Sequence, residues 1–278
     1  MQDEAFSSID IVSQCLIDEP RSNAFEQAIK EVVSQNDTVI DIGTGSGIMA
    51  LFSARAGAKE VYALEYDHYI AKIAENNFKN NGFENIKEIF IGDARSFEYP
   101  EDINFDVVVM EMLTTGMVDE YQIQAINNLH RQGKISSNTK FVPKVQKTFA
   151  SLVNSKSSLY GFKFKMVTHL WNNLSQNLKV INLSNTELVN SVDFSKINDE
   201  ISNSDIKFII EHDGLVNGIL LTSETILTDS LILKDTETLN APVFLPIDDM
   251  NVNKGDVISV KISYKFGGGY GNFKAEVI

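Results

Sequence analysis

Between Asp37 and about Pro143, short β-branched and aliphatic runs alternate with longer stretches whose apolar residues recur every three or four positions. Successive βα units of a parallel sheet read this way, because strands repeat every two residues and helices every 3.6. The pattern predicts strands over 38–42, 60–64, 86–91, 105–110 and 140–142. It places helices over 20–35, 48–56 and 67–81; in the last, Ile70, Ile73, Ala74 and Phe78 share one face and Gly82 ends the run.

After Pro143 the helical period disappears. Residues 145–153, 208–211, 218–221, 230–234, 257–266 and 273–277 read as strands. Asp213-Gly214, Asn217-Gly218, Asn253-Lys254-Gly255 and Gly267-Gly268-Gly269 read as their turns, suited to antiparallel hairpins. The fold class expected is therefore an α/β domain with a mostly parallel sheet over 1–143, followed by an all-β domain over 144–278. Residues 155–204, rich in Asn and Ser, yield no element, and no internal repeat is found.

With 278 residues, 43% of them hydrophobic and 22% charged, the chain has ample material for a core. Its formal charge, 24 minus 38 or −14, repels phosphate backbones and attracts cations, so nucleic acid is not an expected partner. The first twenty residues hold acids where an export signal needs Lys or Arg, and no run reaches about 18 apolar residues. A lone Cys15 permits no internal disulfide and reads as a small hydrophobe. A cytoplasmic protein without membrane contact is the expectation.

Thr38-Val-Ile-Asp41-Ile-Gly43-Thr-Gly45-Ser-Gly47-Ile48 is a buried strand feeding a glycine turn and a helix. A dinucleotide fingerprint is G-x-G-x-x-G, whereas here the third glycine falls one place early, which argues against NAD. Glu65 ends the next strand, where a carboxylate accepts ribose hydroxyls, and Gly92-Asp93-Ala94 closes the third. A glycine turn alone also serves tight strand-to-helix packing. Three such motifs on consecutive strands favour a nucleotide site.

The D-x-G-x-G-x-G spacing resembles the first motif of class I methyltransferases. That resemblance implies S-adenosylmethionine as cofactor and S-adenosylhomocysteine as product. It assigns donor binding to Asp41, Gly43, Gly45, Gly47 and Glu65, with the Asp93 side chain and Ala94 amide reading adenine.

The fourth strand ends at Glu111, and Glu120 follows nine positions later with Gly116 between them. The edge where parallel strands end faces the ligand crevice, so two carboxylates can meet one cation there. Glu120 also suits a plain helix N-terminus. This pair looks like the double-glutamate loop of the protein arginine methyltransferases, whose donor-binding stretch is similar to residues 41–65. Leu16-Ile-Asp-Glu-Pro-Arg21 resembles that family's helix whose arginine binds the donor carboxylate, which assigns Arg21 the same role. The resemblance also implies a Rossmann-like domain followed by a β-barrel-like one, with Gly218-Ile-Leu-Leu, Ala241-Pro-Val-Phe and Lys254-Gly-Asp-Val-Ile-Ser-Val as barrel strands.

The chain departs from that family in three places. Glu237-Thr238-Leu239 stands where those enzymes carry Thr-His-Trp, the aromatic N-terminal helix is reduced to the region around Phe6, and 155–205 is short for a dimerisation arm. A homodimer with a reduced arm remains open. His68, His130, His169 and His212 lack metal-ligand spacing, so no metal is expected; His169 and Trp171 read as a lid pair or as ordinary surface residues. The functional expectation is transfer of a methyl group to a guanidinium-like nitrogen held by Glu111 and Glu120, on a cationic protein, peptide or small molecule. The alternatives are a small-molecule N- or O-methyltransferase on the same scaffold and a non-catalytic regulatory subunit.

Overall fold

The structure, a computed structural model, describes residues 8–156, 158–171 and 178–278. It opens with two helices, α1 (Ile9–Ile17) and α2 (Glu19–Val32). Strands β1 (Thr38–Ile42), β2 (Glu60–Glu65), β3 (Ile86–Ile91), β4 (Val107–Val109) and β5 (Lys140–Val142) then form a parallel sheet in the order β3-β2-β1-β4-β5. The crossovers carry α3 (Ile48–Arg55), α4 (His68–Asn81) and α5 (Gln122–Arg131). β1 is buried from Val39 to Ile42, since a central parallel strand covered on both faces has no wet side.

Helix boundaries follow local chemistry. The Asp67 carboxylate accepts the amides of Tyr69 (2.8 Å) and Ile70 (2.9 Å) at the start of α4, and Gly82 stops that helix in the left-handed region. α2 runs to Val32, inside the expected 20–35. β4 is shorter than the expected 105–110 because the Phe105 amide donates to Lys134 O (2.9 Å) in a loop, outside the ladder. Helix α1 was not expected, and the residues around Phe6 lie outside those described.

The remainder is antiparallel and barrel-like. Its strands are β6 (Val145–Ser155), β7 (Ser158–Leu159), β8 (Phe162–Lys163), β9 (Thr168–His169), β10 (Val180–Asn182), β11 (Glu187–Asp193), β12 (Ile201–Ile209), β13 (Gly214–Ile226), β14 (Ile232–Leu233), β15 (Val243–Val252), β16 (Val257–Lys265) and β17 (Lys274–Val277). A seven-stranded sheet runs β10-β6-β13-β15-β9, with β11 on β6 and β14 on β13; β12-β16-β17 form a three-stranded sheet.

Asn217-Gly218 is not a turn. It is a bulge inside β13, and the Asn217 side chain bridges the gap by accepting the Ser155 amide and donating to the Ser155 carbonyl, both at 2.8 Å. β11 and the first four residues of β12 fall in the stretch whose polar residues hid the alternation, and β12 ends at Ile209, short of the expected Glu211. β14 likewise covers only part of 230–234.

Leu227 and Leu233 from the antiparallel part join Phe25, Ile29, Met49 and Val109 in one apolar cluster, so the two parts share a core. No helix among the described residues is long and apolar enough to cross a membrane.

Candidate active site

The strand order reverses where β1 meets β4, and the crevice beyond the strand ends at that point is where open α/β sheets bind ligands. A cavity of about 150 Å³ lies there. It gathers Arg21, Gly43, Gly45, Glu65, Asp93, Ala94, Glu111 and Glu120 from the expected site residues. Asp41 and Gly47 do not line it.

Asp41 works behind the turn. Fully buried, it accepts the Thr44 hydroxyl (2.5 Å) and the Ala50 amide in the first turn of α3 (3.1 Å). Burial pushes its carboxyl up to about 7 against those two hydrogen bonds. Gly47 is a packing glycine: at φ +86° a Cβ would stand 2.5 Å from the Phe78 ring of α4.

Gly45 is different, since its Cβ would project toward Val12 across the cavity at 3.5 Å. Its amide donates to Glu65 Oε2 (2.9 Å), while Glu65 Oε1 accepts the amides of Tyr66 (2.9 Å) and Asp67 (3.1 Å). The carboxylate at the end of β2 therefore holds the glycine turn open. A bare backbone floor beside a fixed carboxylate fits a ribose-bearing ligand.

Helix α1 supplies a wall through Ile11, Val12, Cys15 and Leu16. Their spacing was the available sequence signal, one apolar stripe with Ser8 capping the helix at the Ile11 amide. Burial pushes the Cys15 thiol up to about 12, against the pull of Arg21, so it meets the cavity as a neutral group.

At the β3 end, both Asp93 oxygens are held by Arg95. Its Nε lies 2.9 Å from each, its Nη2 2.6 Å from Oδ2, and its own amide 2.9 Å from Oδ1. Burial works to raise the Asp93 carboxyl, but Arg95 prevails and holds it below the usual range. The Arg95 guanidinium also lies 4.1 Å over the Tyr121 ring, tying this end of the cavity to the residue after Glu120. Arg95 and Tyr121 both line the cavity and were not singled out from sequence.

Arg21 and Glu111 form a buried ion pair, 1% and 10% exposed. Nε and Nη2 both donate to Glu111 Oε1, the former at 2.5 Å. Nη1 donates to the Thr238 carbonyl (2.6 Å) and Nη2 reaches Leu113 O (3.4 Å). Of the five guanidinium hydrogens, one on Nη1 is left without a partner among the described residues. Asp18, the cap of α2, accepts the Thr238 amide (3.2 Å), so the Glu237-Thr238-Leu239 loop is seated on the N-terminal helices. Burial raises the Glu111 carboxyl above its ordinary value, with Arg21 opposing. For Glu120, burial and then the charge of Glu111 push the carboxyl up to about 8.

The loop between the two glutamates is gripped from the antiparallel side. Gln146 donates to Thr114 O (3.1 Å), Ser223 accepts the Gly116 amide (3.2 Å), and the Tyr264 hydroxyl donates to Gly116 O (2.9 Å). Thr115 donates its hydroxyl to Ala241 O (2.6 Å). Among the described residues no group of three or more His, Cys, Asp or Glu is placed to hold a metal ion.

A family model described as ribosomal protein L11 methyltransferase matches residues 25–147. An uncharacterized protein of Methanocaldococcus jannaschii is 33% identical over 262 residues, which cover 94% of this chain and 94% of that protein. Protein arginine N-methyltransferase 6 of Xenopus tropicalis is 30% identical over 125 residues, 44% of this chain and 36% of its own length. The solved Trypanosoma brucei PRMT1 enzyme-prozyme heterotetrameric complex with AdoHcy shares the fold, with a TM-score of 0.77 over 99% of this chain and 98% of that one at 15% identity.

Proposed function

This chain belongs to the class I S-adenosylmethionine-dependent methyltransferases, in one family with the Methanocaldococcus protein, and on that premise we propose that it methylates a guanidinium nitrogen held between Glu111 and Glu120. One observation carries the reading: Glu111 already grips a guanidinium, that of Arg21, through two nitrogens, while Glu120 lines the same cavity. Planar N–H forks are what carboxylates bind with most directional strength.

S-adenosylmethionine, once bound, supplies a methyl carbon on a sulfonium sulfur, whose departure needs no proton. In this reading Glu65 takes the ribose hydroxyls and the Ala94 amide, beside Asp93, meets adenine. Arg21 turns its remaining Nη1 hydrogen to the donor carboxylate while keeping Glu111 in place. The enzyme's main contribution is positional, holding a nitrogen lone pair in line about 3 to 3.5 Å from the methyl carbon. Glu111, fixed by Arg21, orients the acceptor and offsets its growing charge. Glu120, held up to about 8, accepts the proton released from the methylated nitrogen in its ionised form, so this role grows as pH rises toward 8.

The test is incubation of the full chain with methyl-labelled S-adenosylmethionine and a methylation-depleted extract, with label counted in protein, nucleic-acid and small-molecule fractions. Label on protein arginine supports the proposal. Label confined to small molecules transfers it to the small-molecule reading, and absence of label with S-adenosylhomocysteine bound favours a regulatory subunit. Glu111→Gln is expected to keep the heat of S-adenosylhomocysteine binding and lose turnover; unchanged turnover would remove Glu111 from the chemistry.

A further inference from the structure

Outside the donor cavity, joined to the glutamate loop through Asp119 and the backbone of 267–269, stands a set of side chains that donor binding does not use. None of Asp119, His169, Trp171 and Tyr270 lines that cavity. The His169 and Trp171 rings lie 5.3 Å apart and within 14° of parallel, and the Tyr270 ring meets His169 edge-on at 5.7 Å. The Tyr270 hydroxyl is buried and has no hydrogen-bond partner among the described residues. Asp119 acts electrostatically on both Tyr270 and Glu120.

The backbone fixes these groups relative to the site. The Gly269 amide donates to Val118 O (2.9 Å) and the Gly267 amide to Met117 O (3.1 Å), so the segment carrying Tyr270 is pinned to the glutamate loop. His169 pairs with Val243, and the Leu170 amide donates to Pro242 O (2.8 Å), so the His169–Trp171 rings ride on the segment that follows Leu239.

The chemistry of the set selects a ligand class. Ring faces attract cations and pack against methylene stems, and a carboxylate beside them supplies the charge. An anion would be repelled by Asp119, and by Glu120 once it ionises. A wholly apolar ligand would leave the Tyr270 hydroxyl unsatisfied, at a cost that a hydrogen-bonding one avoids. We infer that His169, Trp171 and Tyr270, set beside Asp119, form the acceptor's entrance to the Glu111–Glu120 pair, a subsite for a cation carried on an alkyl stem. This rests on the reading that those glutamates hold the acceptor nitrogen.

Trp171 is the only tryptophan in the chain and is 37% exposed, so intrinsic fluorescence reports on this site. Full-length protein saturated with S-adenosylhomocysteine is titrated with Nα-acetylarginine methylamide and with the uncharged citrulline analogue. A saturable response to the arginine compound is expected, with none to the citrulline compound. Asp119→Asn is expected to raise the midpoint about tenfold while the heat of S-adenosylhomocysteine binding stays unchanged, the size of one lost charge-assisted contact. With labelled donor, Trp171→Phe is expected to raise KM for the arginine compound at constant kcat. Equal responses to both compounds, or a midpoint unmoved in Asp119→Asn, overturn the inference. Label passing to the arginine compound without any Trp171 response also overturns it and leaves the proposed function standing; a Trp171 response without label transfer supports the subsite and counts against that function.

Discussion

Arg21 and Glu111, ninety positions apart in the chain, meet as a buried ion pair in which two guanidinium nitrogens share one carboxylate oxygen. The pair joins three pieces of the molecule, because Arg21 also donates to Thr238 in the antiparallel part and starts from the first turn of α2. A carboxylate that lines the candidate site is thus held by a residue of the N-terminal helices. Its orientation depends on those helices being docked.

Arg21→Ala should therefore be costly well beyond the loss of a surface charge. It strands Glu111 in a buried setting and frees the Thr238 carbonyl, and breaking such a pair from one side typically costs roughly 3–5 kcal/mol. Urea unfolding is expected to show a loss of that order. Arg21→Lys, which keeps the charge without the fork, should fall between the two. A loss below about 1 kcal/mol, the worth of an exposed pair, would show the bridge to be incidental.

Tyr264→Phe separates the glutamate loop from the donor site. The hydroxyl donates to Gly116 O and accepts from Asn190 (2.7 Å), so its removal leaves two buried polar groups short, at about 1–3 kcal/mol. Donor binding should hold while kcat falls, because the glutamate loop loses one of its anchors. Calorimetry with S-adenosylhomocysteine beside single-turnover kinetics decides it; weakened donor binding with normal turnover would contradict the assignment.

The parts legible in the sequence were those written in local chemistry. Glycine spacing, the acid at the end of β2 and the acid at the end of β4 located the cavity, because a parallel sheet delivers its strand ends to one edge. Asp41 and Gly47 belong to the same motif but brace the turn from behind, a distinction that needs the position of Phe78 on a different helix. The Arg95 fork with its stacking on Tyr121, and the grip of Gln146, Ser223 and Tyr264 on the glutamate loop, join residues far apart in the chain. No periodicity announces such contacts. Asn217-Gly218 misled for a related reason: turn residues also serve bulges, and only the neighbouring strand decides which.

That division gives a paired prediction. Gly47→Ala places a Cβ against the Phe78 ring at a positive φ, so it should cost stability, roughly 1–3 kcal/mol for overpacking with backbone strain added. Gly45→Ala meets Val12 at 3.5 Å, ordinary contact, and narrows the cavity floor. Its larger effect should be on donor affinity. If Gly47→Ala weakens S-adenosylhomocysteine binding more than it lowers Tm relative to Gly45→Ala, the assignment of one glycine to packing and the other to the ligand is wrong.

The carboxyls around the site set an unusual pH dependence. Burial lifts Glu120 from an ordinary 4.5 to about 8, Asp119 from 3.8 to about 6 and Asp41 from 3.8 to about 7. Over this interval the folded chain binds more protons than the unfolded one, so stability falls as pH rises. The contribution is fully present below the unfolded values and is lost progressively through the folded ones. Exposed Glu75, held down to about 2 by Lys72 and Lys79, acts in the opposite sense, but only below its ordinary 4.5. The donor-free protein should show Tm declining from about pH 5 to about pH 8, and Glu120→Gln should flatten the upper end of that decline. Turnover should run the other way, rising through a limb near 8 as Glu120 ionises, and the Gln variant should lose the limb along with most of its rate. A flat Tm profile across the interval, or an alkaline limb that survives in Glu120→Gln, would place the titrating group elsewhere.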